Sequence, residues 1–326
     1  MKRLVSLVAL ILIGTLAFAE GAKESGGGAA AYPAKTIQVY IPWGAGGDTD
    51  LHGRTLSELI GKELGVSVVC TNMPGTGGTV AARQVLNSAK DGYTVLWSQT
   101  SFLISSALGI ADFSYRDMET VATVIEDDSN LYVMSRKSAG KFKTIQEYIA
   151  YGKAHPNAVN DGIEVGTDAH LTSLIFGDST GVPVTRIDVG GTNTKIPALI
   201  NGDVDIGQGV YGTYKAYFDS GDLVPLVMLG TRKLADLPNI PTLKEATGAD
   251  FNYTKIFGYW MPPGTDKAIV DKFAAAARKA VNSDAFKAHC EKYFITPSAR
   301  TGSEAKAFLD KQYDTILKYK DAMVVK

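Results

Sequence analysis

Cysteine is scarce. Two of 326 residues are cysteines, too few for a disulfide framework. Cys70 and Cys290 could be joined in an exported protein, or stand as buried thiols, one ending an apolar strand and the other on an amphipathic helix. Histidine is scarcer relative to what it would need to do: His52, His155, His170 and His289 are scattered with no metal-ligand spacing. "DVDIG" (203–207) resembles a calcium loop only in part and lacks the remaining ligands. No excess of positive charge is present. The net charge is −1, which suits neither a nucleic-acid backbone nor an anionic membrane surface. Three enzyme signatures are missing as well. No G-x-x-x-x-G-K-[ST] phosphate loop and no G-x-S-x-G elbow occur. The glycine runs "GAGGDT" and "GTGGTV" end in Thr49 and Val80, where a dinucleotide fingerprint requires glycine or alanine, and Asn72 stands where its acidic ribose partner would be. No cofactor, metal or nucleic-acid partner is expected.

What is present begins with a leader. Lys2 and Arg3 precede an apolar run from Leu4 to Phe18 that ends in Ala17-Phe18-Ala19. This is the three-part layout of a secretory signal cut after Ala19. The run is short for a membrane span and holds no cysteine for a lipid anchor. "EGAKESGGGAAA" then reads as a flexible spacer, residues 20–32. Cleavage removes Lys2 and Arg3 and takes the net charge from −1 to −3. No later run is long and apolar enough to cross a bilayer. The expected product is exported and acts in the periplasm or otherwise outside the cytoplasm.

With 45% hydrophobic and 21% charged residues, the remainder has ordinary globular composition. Strands and helices alternate. "IQVYIPW" (37–43), "VSVVCTN" (66–72) and "YTVLWSQ" (93–99) read as strands; 49–64 and 77–89 have helical periodicity. This favours a parallel α/β sheet. The pattern resumes with helices over 144–154, 169–177 and 194–201 and strands over 162–166, 184–190, 203–209 and 223–229. Two long helices, about 266–293 and 303–323, close the chain.

Three loops follow strands: "GAGGDTD" (44–50), "PGTGG" (74–78) and "SQTS" (98–101). In an open parallel sheet, ligands bind outside the carboxyl ends of the strands. Helix starts there present unsatisfied N–H donors and a positive dipole end, and glycine lets a ligand approach the backbone. Such loops suit a small anion such as a carboxylate. Asp48 reads as an N-cap and Asp50 as a first-turn acid. Either could instead accept a hydrogen bond from a ligand.

The stretch "YPAKTIQVYIPWGAGGDTDLHGRTLSELIGKELGVSVVCTNMPGTGG" resembles the solute receptors of tripartite tricarboxylate transporters, the TctC-like or Bug family. The resemblance continues through "AKDGYTVL" (89–96), "INGDVDIG" (200–207), "LPNIPTLKEATG" (237–248) and "GYWMPPGTDKAIVDKF" (258–273). It implies a two-lobed α/β periplasmic binding protein of type II, a Venus flytrap, with a ligand cleft between lobes. Lobe 1 would comprise 33–132 plus 256–326, and lobe 2 would comprise 133–255. The implied partners are a small organic acid and the membrane permease subunits of the transporter, with the receptor acting as a monomer and not as an enzyme.

Carried onto this chain, the resemblance places the first-lobe contacts at Trp43, Ala45, Gly46, Asp48, Thr49, Asp50, Gly77, Gly78 and Thr79. Ser98 and Thr100 follow the next strand and suit the same role. "GTDAH" (166–170) and "GGTN" (190–193) would supply Gly166, Thr167, His170, Gly191, Thr192 and Asn193 from the second lobe. Trp43 could equally be core, His170 a packing residue at a helix start, and Lys195 a solvated lysine. The chain departs from the family pattern at Met73, at the short "GTDAH" loop and at Val189-Gly190. Its second-lobe loops carry few cations unless Lys195 or Arg186 turns inward. These departures favour a mono- or dicarboxylate over citrate. A sensory receptor of the same fold is an alternative. So is an exported enzyme on acyl anions, for which Ser98, Asp48 and His170 are the only set to offer, without diagnostic spacing.

Overall fold

Alternating apolar strands and amphipathic helices build two mixed sheets. The computed structural model describes residues 32–249 and 254–323. The expected leader lies outside the described residues. The strands are β1 (Ile37–Ile41), β2 (Val68–Asn72), β3 (Thr94–Gln99), β4 (Glu119–Asp127), β5 (Asn130–Ser135) and β6 (Asn160–Ile163). They continue as β7 (Thr185–Asp188), β8 (Ile206–Val210), β9 (Leu223–Met228), β10 (Lys255–Met261) and β11 (Thr296–Thr301). Helices α1 (Asp48–Leu64), α2 (Thr79–Leu86) and α3 (Ser101–Ala107) separate the first four strands. Helices α4 (Ile145–Ala154), α5 (Asp168–Thr180), α6 (Thr192–Asn201), α7 (Tyr211–Ser220) and α8 (Leu243–Thr247) accompany the middle of the chain. The last four are α9 (Lys267–Asn282), α10 (Asp284–Tyr293), α11 (Gly302–Leu317) and α12 (Lys320–Met323).

The first sheet has the order β11-β4-β10-β3-β1-β2 and the second β7-β6-β8-β5-β9. β1 pairs in parallel with β2 and β3, with Val39 opposite Cys70 and Val95. That trio is the parallel unit the strand–helix alternation leads one to expect. The antiparallel members are strands that change sheets. β4 ends at Asp127 in the first sheet, and β5 starts at Asn130 in the second, against β8 and β9. The chain returns as β10, antiparallel to β3 and β4.

The C-terminal reading changes in two places. The helix expected over about 266–293 breaks at Ser283, whose backbone is extended and whose hydroxyl accepts from the Phe286 N–H. A serine that caps a new helix ends the old one. The stretch between the expected helices is not a bare linker: Thr296–Thr301 is strand β11, an edge strand on β4. The strand expected over 203–209 begins only at Ile206. Asp205 just before it is a turn anchor, accepting from Ser138 Oγ, Lys141 Nζ and the Asn160 N–H. Cys70 and Cys290 are both free thiols.

One apolar cluster runs through Leu96, Phe102 and Trp260 on the first-sheet side to Leu171, Ile175 and Phe176 on α5. Leu309, Ile316 and Met323 join it. Leu309 and Ile316 lie seven residues apart on one face of α11, and Met323 ends α12. α12 thus packs on α5, which belongs with the second sheet. The chain therefore connects its two halves twice through strands and a third time through its C-terminal helix.

Candidate functional site

The carboxyl ends of β1, β3, β6 and β8 face a cavity of about 280 Å³ that is partly open to solvent. That is just under the range of roughly 300–1,000 Å³ typical of drug-sized ligands. A wider groove of about 720 Å³ lies between α1 and the outer edge of β2; it is open, and its lining includes backbone of an edge strand. The smaller cavity is where charged groups and helix starts converge.

β1 ends at Ile41, and the chain turns over glycines into α1. At Gly44 a Cβ would stand 2.7 Å from Asn193 Nδ2, so a larger residue there would push the Asn193 amide aside. Gly78 has φ +89°, and a Cβ would meet the Trp43 ring at 3.3 Å. Gly47, not Asp48, takes the N-cap position, and it has no side chain to cap with. Asp48 is the first helical residue, and its Oδ2 accepts from Lys255 Nζ at 2.8 Å. Asp50 locks the loop from within. Its carboxylate accepts from the Gly46 N–H (3.0 Å), Arg54 Nε (2.9 Å) and Asn72 Nδ2 (2.8 Å). Burial would raise the Asp50 carboxyl, but these donors hold it below the usual carboxylate range.

α5 starts at Asp168. Its N–H donates to Ser101 Oγ (3.1 Å), and that hydroxyl donates to Asp168 Oδ1 (3.0 Å). Asp168 Oδ2 lies 3.3 Å from Lys255 Nζ. Lys255 therefore joins a carboxylate from α1 to one from α5. All three side chains are at most 7% exposed. Burial opposes the Lys255 ammonium, yet Asp168 and Asp48 hold its pKa above the ordinary lysine value. Burial likewise opposes the Asp48 carboxylate, and Lys255 brings it below the usual range.

α6 starts at Thr192. One turn on, Lys195 is 3% exposed. Its ammonium donates to the Gln208 carbonyl at 3.3 Å, and it forms no ion pair within 4.0 Å among the described residues. Burial pushes its pKa down. Glu164, at the end of β6, also lines the cavity; its carboxyl is raised to about 7 by burial. The helix starts at Asp48, Asp168 and Thr192 all reach the cavity wall, so backbone donors and positive dipole ends meet there.

Of the residues expected from sequence, Trp43, Asp48, Thr49, Thr167, Gly191, Thr192 and Asn193 line this cavity. Trp43, 9% exposed, is a wall backed by Gly78. The others stand elsewhere. Ala45 and Gly46 are exposed on the loop, Gly46 at the rim of a neighbouring groove. The Gly77 carbonyl accepts from Ser105 Oγ, as does that of Gly166. Thr79 donates to the Thr76 carbonyl. Ser98 is buried inside β3 with its hydroxyl unpaired. Thr100 Oγ1 accepts from the Ile256 N–H. His170 lines a separate concavity with Arg186 and Asp188, and its Nδ1 accepts from the Gly166 N–H at 3.5 Å. Ser98, Asp48 and His170 are thus not assembled as a catalytic set.

Gln99, Glu164, Asp168, Gln208 and Lys255 line the cavity without having been singled out in the sequence. Lys195 is inside it, not a solvated lysine on a helix face, because α6 turns that position toward β8. Arg186 does not turn inward; it donates to Ser173. A signal for Lys255 did exist: it is a lone charge opening the otherwise uncharged strand "KIFGYWM".

A family model for the tripartite tricarboxylate transporter family receptor matches residues 53–318. The chain belongs to this family of extracytoplasmic solute-binding proteins. It is similar to the UPF0065 protein in the gbd 5′ region of Cupriavidus necator, 29% identical over 294 residues, covering 86% of this chain and 88% of that protein. Protein BugT of Bordetella pertussis is 27% identical over 280 residues, covering 85% and 86%. Among solved structures, the periplasmic binding protein BugD superposes with a TM-score of 0.81 at 23% identity, covering 90% of this chain and 98% of that one. MatC from Rhodopseudomonas palustris with bound malate gives 0.80 at 23%, covering 90% and 100%. An R. palustris protein with adipate gives 0.83 at 20%, covering 90% and 98%. These structural likenesses show the periplasmic-binding-protein fold, α/β with two mixed sheets.

Proposed function

We propose that this chain captures a small mono- or dicarboxylate outside the cytoplasm and presents it to the permease subunits of a tripartite tricarboxylate transporter. The observation that carries this reading is the convergence of three helix starts and the under-bonded Lys195 ammonium on one small cavity. That arrangement attracts a carboxylate. The malate- and adipate-bound relatives support the choice of ligand class.

In this reading the two lobes are 33–132 plus 256–326 and 133–255, and the ligand site lies between them. The bond from Ser101 to Asp168 crosses between these lobes and belongs to a shut form, and a ligand that adds contacts only there shifts an open–closed equilibrium. No covalent step is required of any residue. The receptor acts as a monomer, exported by its N-terminal signal.

The test is a thermal-shift screen on protein starting at Glu20, unfolded and refolded to strip carried-over ligand. Mono-, di- and tricarboxylates, sugars and nucleotides are compared. A ligand at a hundredfold excess over its Kd stabilises by about 2.7 kcal/mol, a shift of several degrees. Stabilisation by organic acids is expected. Stabilisation only by sugars or nucleotides would overturn the reading.

A further inference from the structure

With Glu164 ionised, the charges in the cavity do not balance within the protein. Lys255 is shared by Asp48 and Asp168, so that group already carries one surplus negative charge. This leaves Lys195 and Glu164. They share the cavity wall but make no ion pair with each other within 4.0 Å. Lys195 has a single long bond to a carbonyl. The Glu164 carboxyl accepts no hydrogen bond among the described residues; only its backbone carbonyl does. A buried charge without a partner is costly. One unpaired cation and one unpaired anion, held apart in one small cavity, call for a ligand that brings both opposites.

The surroundings of Glu164 sharpen the point. Gly191 leaves a gap where other residues have a Cβ. Glu164 Oε2 and Asn193 Oδ1 each stand 3.5 Å from that position, and Trp43 Cδ1 stands 3.8 Å away. Two oxygen acceptors and an indole edge therefore lie around that position. Such a corner suits an N–H-bearing cation. A carboxylate there would meet two oxygens.

We infer that the ligand is an organic acid that also carries a positively charged nitrogen, its carboxylate meeting Lys195 and the helix starts and its ammonium meeting Glu164 and Asn193. This rests on the carboxylate reading above and narrows it. With Glu164 ionised the cavity sets the carboxylates of Asp48, Asp168 and Glu164 against the ammoniums of Lys195 and Lys255, so a plain carboxylate adds a second surplus negative charge, whereas a zwitterion adds none. The raised Glu164 carboxyl also fits, because it is partly protonated near neutrality and an arriving cation drives that proton off.

The experiment is calorimetric titration of the stripped protein at pH 6.5 with matched acids: propionate, L-lactate and L-alanine; butyrate and 4-aminobutyrate; succinate, L-malate and L-aspartate. The same titrations are run on Glu164→Gln, which keeps size and shape. The expected result is that an amine-bearing member binds at least tenfold tighter than its amine-free partner, with proton release seen as a buffer-dependent heat. In E164Q that preference shrinks by tenfold or more. Amine-free acids binding the wild type as tightly as their amino partners, with proton uptake, would overturn this inference and leave the carboxylate reading standing. Binding of no acid in any series would overturn both.

Discussion

The two sides of the cavity are built from the same parts and finished differently. On the first-sheet side the acids are already committed: Asp50 to its own loop and Asp48 to Lys255. On the second-sheet side Lys195 and Glu164 are buried or half-buried and nearly bondless. A side that satisfies itself gives a rigid seat. A side that does not is where a ligand is read, because unmet charge makes binding selective.

The largest expected effect tests the committed side. Lys255→Met leaves Asp48 and Asp168 buried without their cation, a loss of about 3–5 kcal/mol. The melting temperature should drop by roughly ten degrees. An unchanged melt would mean the first-sheet side is not held by this lysine. The mirror change is Lys195→Met. Burial already works against that ammonium, so the ligand-free melt should hold or rise. Carboxylate affinity should fall about 10- to 100-fold, the worth of a charge-assisted bond. A Lys195 variant that unfolds but still binds would erase the contrast.

The two sides also titrate with opposite sign. On the first-sheet side His52 Nδ1 lies 2.9 Å from His289 Nε2. Burial lowers them to about 3 and about 4, with Asp48 and Lys255 as charged neighbours of His52. The unfolded chain takes up protons first as pH falls, so this stability is complete above about 6.5 and is lost toward pH 4. His289→Asn should melt several degrees higher relative to wild type at pH 4.5 than at pH 7.5. Glu164 runs the other way. Its folded value of about 7 lies above the ordinary 4.5, so its ionisation costs stability as pH rises through that window. Glu164→Gln should gain a few degrees over wild type at pH 8 and nothing at pH 4.5. The smallest expected effect is none: reductant should not move the melt, since Cys70 and Cys290 are free.

The glycine loops, the helix starts and the α/β alternation were legible because each is local. A strand, a tight turn and a helix announce themselves within a dozen residues. What stayed hidden depends on pairing over distance. Nothing near Lys255 says that it meets Asp48, 207 residues away. Lys195 on an exposed-looking helix reads as solvated until α6 is laid on β8. β11 is hidden for a similar reason: "TPSART" is polar, and its edge position on β4, not its composition, makes it a strand. The break at Ser283 was legible in principle, as a capping residue between two helical stretches.

The C-terminal helix α12, seated on α5, has a practical meaning. Two strands alone allow two rigid plates to bend and also to swivel about each other. In the two-lobed reading proposed above, a third attachment on α5 would restrain the swivel more than the bend. A chain cut before Tyr319 would lose the Met323 anchor and gain rotational slack. In that reading, reporter dyes or affinity handles fused at the carboxyl terminus would pull directly on this attachment.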